Sequence, residues 1–411
     1  MKIVLVGGEF RNKGSEAMVI STVSSLKELM PDAELIVASY FSEDVQKGKE
    51  YDLKVIRNYA SLKGAKAIHC VQALLHRVMP IQKMRLLLLG NSDFLRDLAE
   101  ADLVVDVSGF ALSDQFGWRR TLLYCSEILL SKLFRVPFVV YPQAMGPFDQ
   151  RLTRVLVRVF LPWVDLMIVR GEITRRYLQE IGLGRKREIH VCADSAFLLE
   201  PVPPQRALET LREHGVRIGE KRLIGIAPNM RIYERCKGSG GENTYVIILS
   251  RVTEDIRNTL EADVVFIPHE FRSDGIDDRW LIKQIMEEIP SKEGVYIVDQ
   301  EYGSAELKAI IGQLDFLIAS RFHSVVASLS MGVPVIVLGW AHKYFELMRM
   351  IGQEDHVLDY RHAGYEELKA KLREKWPKRE EIGRKLEIGL PKLEQSAHEA
   401  AVLLSELLNP K

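Results

Sequence analysis

The residues best equipped for chemistry stand in the second half of the chain. Ser320-Arg321-Phe322-His323 follows an apolar run at residues 316–319 and leads into a small-residue helical pattern from Val325 to Met331. Ser320 is placed to cap that helix, so Arg321 and His323 fall in its first turn. The helix dipole disfavours cations there by about 0.3–1 kcal/mol. Two in one turn imply an anion that offsets the repulsion, a phosphate or carboxylate at the helix end. Pro228-Asn229-Met230-Arg231 follows the apolar run at 223–227. Pro268-His269-Glu270 follows the run at 264–267, with Asp277-Asp278 soon after. Three strand ends of one sheet therefore carry Arg, His, and Arg with His. Capping alone accounts for Ser320 but not for the arginines. Guanidinium forks match carboxylates and phosphates, and an imidazole with a pKa of about 6.5 exchanges protons near neutrality. The chemistry indicated is anion binding.

The first half offers loops of another kind. Gly7-Gly8-Glu9-Phe10-Arg11-Asn12-Lys13-Gly14-Ser15-Glu16 joins the first strand to the first helix. Its glycines permit close backbone approach to a ligand, although the spacing is that of neither GxGxxG nor a P-loop. Segments 108–117, with Gly109, and 141–147, with Gln143, also come directly after strands. Loops at the carboxyl ends of parallel strands mark a binding surface, while each alone also reads as turn chemistry. Arg170 ends another strand and is suited either to a ligand or to a carboxylate partner. Glu172 favours the first turn of the next helix, and Asp194 ends a strand where it can cap the next turn.

These loops need a scaffold, and the sequence supplies one. Short Val/Ile/Leu runs at 3–6, 35–38, 103–107, 138–141 and 166–169 alternate with helical patterns, which predicts a parallel sheet covered on both faces. Leu199-Glu200-Pro201-Val202-Pro203-Pro204-Gln205 interrupts the rhythm with an extended segment. It restarts with runs at 223–227, 264–267, 295–298, 316–319 and 335–338 and helices at 277–288 and 304–311. The expected class is α/β: two doubly wound Rossmann-like domains facing a cleft, similar to the GT-B fold of many sugar-transferring enzymes. The expected divisions are 1–200, 206–360 and a charged helical tail, 361–411, that crosses back onto the first domain.

Composition narrows the classes. The 411 residues hold 56 Lys plus Arg against 56 Asp plus Glu, a balance that argues against a nucleic-acid partner held by bulk charge. Cys70, Cys125, Cys192 and Cys236 have no metal-ligand spacing and read as reduced thiols. The N-terminal apolar run is too short for a signal peptide, and no run is long enough to span a membrane. The greasy stretches at 86–89 and 122–134 read as buried core, with a membrane-surface contact as the alternative. The expected location is the cytoplasm, with the inner face of the membrane within reach.

Asn12-x-Gly14, Gly146-Pro147, Arg170-Gly171-Glu172, Arg231, Pro268-His269 with Asp277-Asp278, and Ser320-Arg321-Phe322-His323 with Ala327, Gly332-Val333-Pro334 and Lys343 occur in that order. Together they resemble the polysaccharide pyruvyl transferase family, from residue 1 to about 352 and most strongly over 306–352. The resemblance implies transfer of the enolpyruvyl unit of phosphoenolpyruvate onto two hydroxyls of a saccharide, lipid-linked or not, as a ketal. It assigns Arg231, Arg321 and His269 to the donor and His323 to protonation of the enol carbon. It places Asn12, Gly14, Glu16, Gly109, Gln143, Arg170 and Lys343 along the cleft or on the acceptor side. No metal or organic cofactor is demanded. The family commonly has Asp after the first-loop glycine; here Ser15 stands there, with Glu16 beside it. Asn229-Met230 likewise replaces a more usual small-residue pair. Two rivals share the architecture: a nucleotide-sugar glycosyltransferase and a non-catalytic sugar- or anion-binding protein. Many retaining glycosyltransferases carry paired glutamates where this chain has Ala319 and Ala327, and pure anion binding does not need His323.

Overall fold

A computed structural model describes residues 1–58, 65–79, 89–90, 92–184, 188–236 and 242–408, with backbone only at 65–67 and 78. The chain forms two compact units. The first comprises Met1–Phe10, Met18–Leu198 and Ser396–Lys411, and the second Arg11–Ala17 and Leu199–Gln395.

The first unit holds seven strands: β1 (Lys2–Val6), β2 (Glu34–Ser39), β3 (Lys54–Arg57), β4 (Leu103–Asp106), β5 (Phe138–Gln143), β6 (Leu166–Val169) and β7 (Ile189–Val191). All pair in parallel in the order β3-β2-β1-β4-β5-β6-β7. Val4 lies opposite Ile36 on one side and Val104 on the other, and all three are buried. Helices cover both faces of a doubly wound sheet, which is why the central strands are continuous apolar runs instead of alternating ones. β3 and β7 are edge strands beyond the five runs read from the sequence.

The second unit repeats the plan with β8 (Arg222–Ala227), β9 (Ala262–Phe266), β10 (Val295–Ile297), β11 (Phe316–Ala319), β12 (Val335–Gly339) and β13 (Val357–Asp359). The order is β10-β9-β8-β11-β12-β13, again all parallel. Its core gathers Ile224, Ile226, Val264, Phe316 and Ile336 beneath the flanking helices. The tail is two helices, Tyr365–Lys375 and Arg379–Leu408, joined by a short 3-10 turn at Trp376–Lys378. Leu368, Leu372 and Trp376 pack into the second core. From Ser396 onward the tail belongs with the first unit, where Ser396 Oγ accepts from the Ala193 amide at 3.0 Å.

Two sequence expectations change here. Residues 11–17, expected in the first domain, cluster with the second. The 122–134 stretch, expected as core, is split: Ile128 and Leu130 are buried, but Leu122 and Leu123 are exposed on the helix Gly117–Phe134. Leu89 is buried, and residues 86–88 lie outside the described residues.

Candidate active site

In the second unit the strand order reverses between β8 and β11, and the loops leaving those two strands meet. Ser320, immediately after β11, is held from three directions. Its carbonyl accepts from Asn229 Nδ2 at 2.8 Å and from Tyr344 Oη at 2.7 Å, and its hydroxyl accepts from Tyr245 Oη at 2.7 Å. Asn229, after β8, also caps the helix Met230–Arg235 by accepting from the Arg231 amide at 2.8 Å. These buried bonds fix the entry to the next helix. Ser320 was the cap expected from the sequence; the capping position is instead Arg321, with Phe322–Ser330 as the helix, because the Ser320 side chain faces Tyr245.

Arg321 is buried, and its Nη2 donates to Glu270 Oε2 at 2.6 Å and to Asp278 Oδ1. The anionic partner inferred for this turn is thus supplied in part by the protein itself. Asp278 is fully buried at the start of the helix Asp278–Glu287. Its Oδ2 accepts from the amides of His269 and Glu270 at 3.1 and 3.0 Å, and its Oδ1 accepts from the Met230 amide at 3.3 Å. One carboxylate therefore ties the β9 loop, the Met230 helix and Arg321 together. Burial pushes the Asp278 carboxyl up despite the guanidinium beside it. Burial also raises Glu270, but the charge and hydrogen bond of Arg321 outweigh it and leave the carboxyl below its ordinary range. Arg321 Nε is buried without a hydrogen-bond partner among the described residues.

The segment Arg11–Ala17 completes this assembly. The Lys13 amide donates to the His269 carbonyl at 3.0 Å, and the Phe271 amide donates to the Arg11 carbonyl at 2.9 Å. Asn12 Oδ1 accepts from the Gly14 amide at 3.0 Å. Gly14 lies so close to His323 that a Cβ there would fall 1.9 Å from Nδ1. Only glycine allows the imidazole to sit against this turn. Glu16, a candidate on the acceptor side, is buried and committed to structure: it pairs with Lys13 Nζ at 2.7 Å and accepts from the Ser304 amide at 2.6 Å. Lys13 further pairs with Glu301 at 3.1 Å.

His269 is buried, with Nδ1 facing the Ile267 carbonyl at 3.4 Å. Burial first, then the charge of Arg321, pushes its pKa down to about 3, so the ring is neutral at physiological pH. The tautomer with the proton on Nδ1 leaves Nε2 as an acceptor. Arg231 is exposed in the first turn of its helix, 3.5 Å from Glu234, and close enough to Glu270 to hold that carboxyl down. Lys343, in the first turn of the helix His342–Met350, lies over the Phe322 and Trp340 rings at 4.8 and 5.1 Å from their centroids. Phe322 in turn packs edge-on against His323. Arg231, Arg321, His323 and Lys343 thus all stand at helix starts behind three adjacent strands, where the peptide dipoles favour an anion.

The first-unit candidates are not part of this cluster. Gln143 is fully buried and donates to Asp106 Oδ2 at 2.7 Å and to Tyr124 Oη at 3.3 Å. Arg170 is buried, donates to the Pro142 carbonyl at 2.9 Å and faces Asp194 at 2.8 Å. Of its two sequence readings, the carboxylate partner is the one observed. Gly109 has φ +71° and packs against Met18 and Arg170. All three organise the strand ends of their own unit. Sequence reasoning gave no role to Glu270, Asp278, Tyr245 or Tyr344. The only signal was the Asp277-Asp278 pair, in which Asp277 caps the helix through the Arg279 amide at 2.9 Å and Asp278 turns inward. Among the described residues no group of three or more His, Cys, Asp or Glu is placed to hold a metal ion.

A sequence profile described as polysaccharide pyruvyl transferase matches residues 12–342, from the Asn12 turn through the His323 helix to the start of the Lys343 helix. The chain belongs to the polysaccharide pyruvyl transferase family. The chain is similar to the amylovoran biosynthesis protein AmsJ of Erwinia amylovora, with 20% identity over 376 residues that cover 87% of this chain and 88% of AmsJ. Among solved structures it resembles an S. aureus MnaA–UDP co-structure, with a TM-score of 0.63 and 12% identity, covering 99% of this chain and 97% of MnaA. It also resembles a glycosyltransferase from Rickettsia africae, with a TM-score of 0.60 and 11% identity, covering 100% and 99%. These likenesses establish the fold class as GT-B-like, two Rossmann-like units in one chain. No helix of the described residues is long and apolar enough to cross a membrane.

Proposed function

We propose that this protein uses phosphoenolpyruvate as its donor and closes a cyclic ketal on two hydroxyls of a saccharide. The observation that carries the reading is the grouping of Arg231, Arg321, Lys343 and His323 at helix starts behind one sheet, with the imidazole fixed against Gly14. Phosphoenolpyruvate is a compact polyanion. Arg321 already serves two carboxylates, so Arg231 and Lys343, together with helix N–H groups, take a larger share of the donor than the sequence suggested.

His323 in its protonated form delivers a proton to the methylene carbon of the enol, which becomes the methyl group, and the central carbon becomes electrophilic. One sugar hydroxyl adds to that carbon, and the bond to phosphate breaks with its electrons on the departing oxygen. The second hydroxyl adds at the same carbon and closes the ring. The two protons lost from the hydroxyls return one to His323 and one to phosphate. The cations stabilise the charge that grows on the leaving group. His269, neutral, with Nε2 as an acceptor in the inferred tautomer, suits a hydrogen bond that orients a sugar hydroxyl and not the uptake of its proton.

The test is His323→Ala. Phosphoenolpyruvate should bind with near-native affinity, while phosphate release in the presence of acceptor polysaccharide falls by about 10²–10⁴-fold. A parallel loss of binding, or retained turnover, would remove His323 from the role of acid.

A further inference from the structure

Three helices of the first unit, Ala65–Val78, Gly117–Phe134 and Arg151–Phe160, pack side by side, and each presents an apolar row to solvent. On Arg151–Phe160 the row is Leu152, Val155 and Val159, between 49% and 56% exposed, while Thr153 and Val157 face the core. Trp163 continues it just past the helix end. On Gly117–Phe134 the row is Trp118, Leu122 and Leu123; on Ala65–Val78 it is Ile68, Val71, Leu74 and Leu75. The spacings of three, four and seven residues are those of a helix stripe that seeks an apolar neighbour. Scattered exposed apolar residues need no explanation, but three adjoining stripes do.

The exposed charges on these three helices are basic, with Asp149 and Asp165 beside them. Arg119, Arg120, Arg151 and Arg158 are exposed. Arg154 is half-buried and 3.7 Å from Asp149, and Lys132 is paired with Asp165. The only acidic residue on the three helices is Glu127, which is buried and whose carboxyl burial pushes up to about 8. In a chain with no net charge this is a local basic surplus. Two tryptophans at the margin add side chains suited to a boundary between water and hydrocarbon.

We infer that this face docks on an anionic lipid surface, with the apolar rows entering the headgroup boundary and the arginines pairing with lipid phosphates. A second copy of the chain fits the face less well, because an isologous contact would set the arginine rim against itself. The inference stands on the first unit alone and is independent of the donor assignment.

The experiment is flotation of the full chain with vesicles of phosphatidylcholine alone and of phosphatidylcholine mixed with phosphatidylglycerol. The native chain should float with the anionic vesicles, less so with added salt, and weakly with the neutral ones. Val155→Glu with Val159→Glu, and separately Arg151→Glu with Arg158→Glu, should each weaken partition about tenfold or more. Ile388→Glu, at an exposed apolar position in the second unit, should leave it unchanged. All five altered positions are exposed, and circular dichroism confirms that the variants fold. Failure of the native chain to bind anionic vesicles overturns the inference. So does equal binding by all variants, or sedimentation that shows Val155→Glu with Val159→Glu dissociating a dimer without any change at the vesicle.

Discussion

Gly14 and His323 show how much of the site depends on a single missing side chain. The imidazole occupies space that any Cβ at position 14 would claim, so Gly14→Ala must push the ring aside. Because a misplacement of about 1 Å can cost about 10²-fold in rate, Gly14→Ala should lower kcat by at least that much while thermal unfolding shows a folded chain. Native turnover in this variant would show that His323 needs no fixed position. The sequence named both residues but could not join them, since nothing local reports that a first-helix glycine touches a residue behind β11. Arg321 carries the same lesson. Its charge was read as evidence for an external anion, yet Glu270 and Asp278, 51 and 43 residues away, meet it first. Glu16 was a candidate because it stands beside Ser15, where the family commonly has Asp, and Arg170 because it ends a strand; here each is committed to a buried partner.

At the level of elements, the strand ends are set by capping and buried hydrogen bonds more than by the loops' own preferences. Asp278 is the clearest case, because one side chain accepts from three backbone amides and a guanidinium. Asp278→Asn removes the charge that balances Arg321 and replaces an acceptor with a donor. Breaking such a buried pair should cost about 3 kcal/mol in urea unfolding. A loss below about 1 kcal/mol would mean that the β9 loop is held by other contacts. The central strands were legible because burial on both faces leaves long Val/Ile/Leu runs. β3, β7 and β13 were not, being three or four residues long, with Lys54 and Arg57 at the ends of β3, His190 within β7 and Asp359 closing β13. The helix cap behind β11 was misplaced by one residue, because Ser320 bonds to Tyr245, which the sequence gives no reason to bring near.

Across the whole molecule, one fold plan is used twice, and the candidate donor site lies in one copy. The alternation of apolar runs and helices announced both sheets, and the two compact units divide after Leu198, beside the proline-rich segment. What periodicity could not convey is that residues 11–17 belong with the second unit, or that three helices of the first leave their apolar rows uncovered. Such assignments arise from packing between segments far apart in sequence. The same plan serves a UDP-bound protein, MnaA, and a glycosyltransferase, so the architecture does not choose the donor and the side chains must. Calorimetric titration of the full chain with phosphoenolpyruvate and, separately, with UDP-N-acetylglucosamine puts that choice most directly. Phosphoenolpyruvate should bind saturably, with affinity weakened about tenfold or more by Arg231→Ala or Lys343→Ala, and the nucleotide-sugar should give no heat. Binding of UDP-N-acetylglucosamine with none of phosphoenolpyruvate would contradict the assignment of the donor.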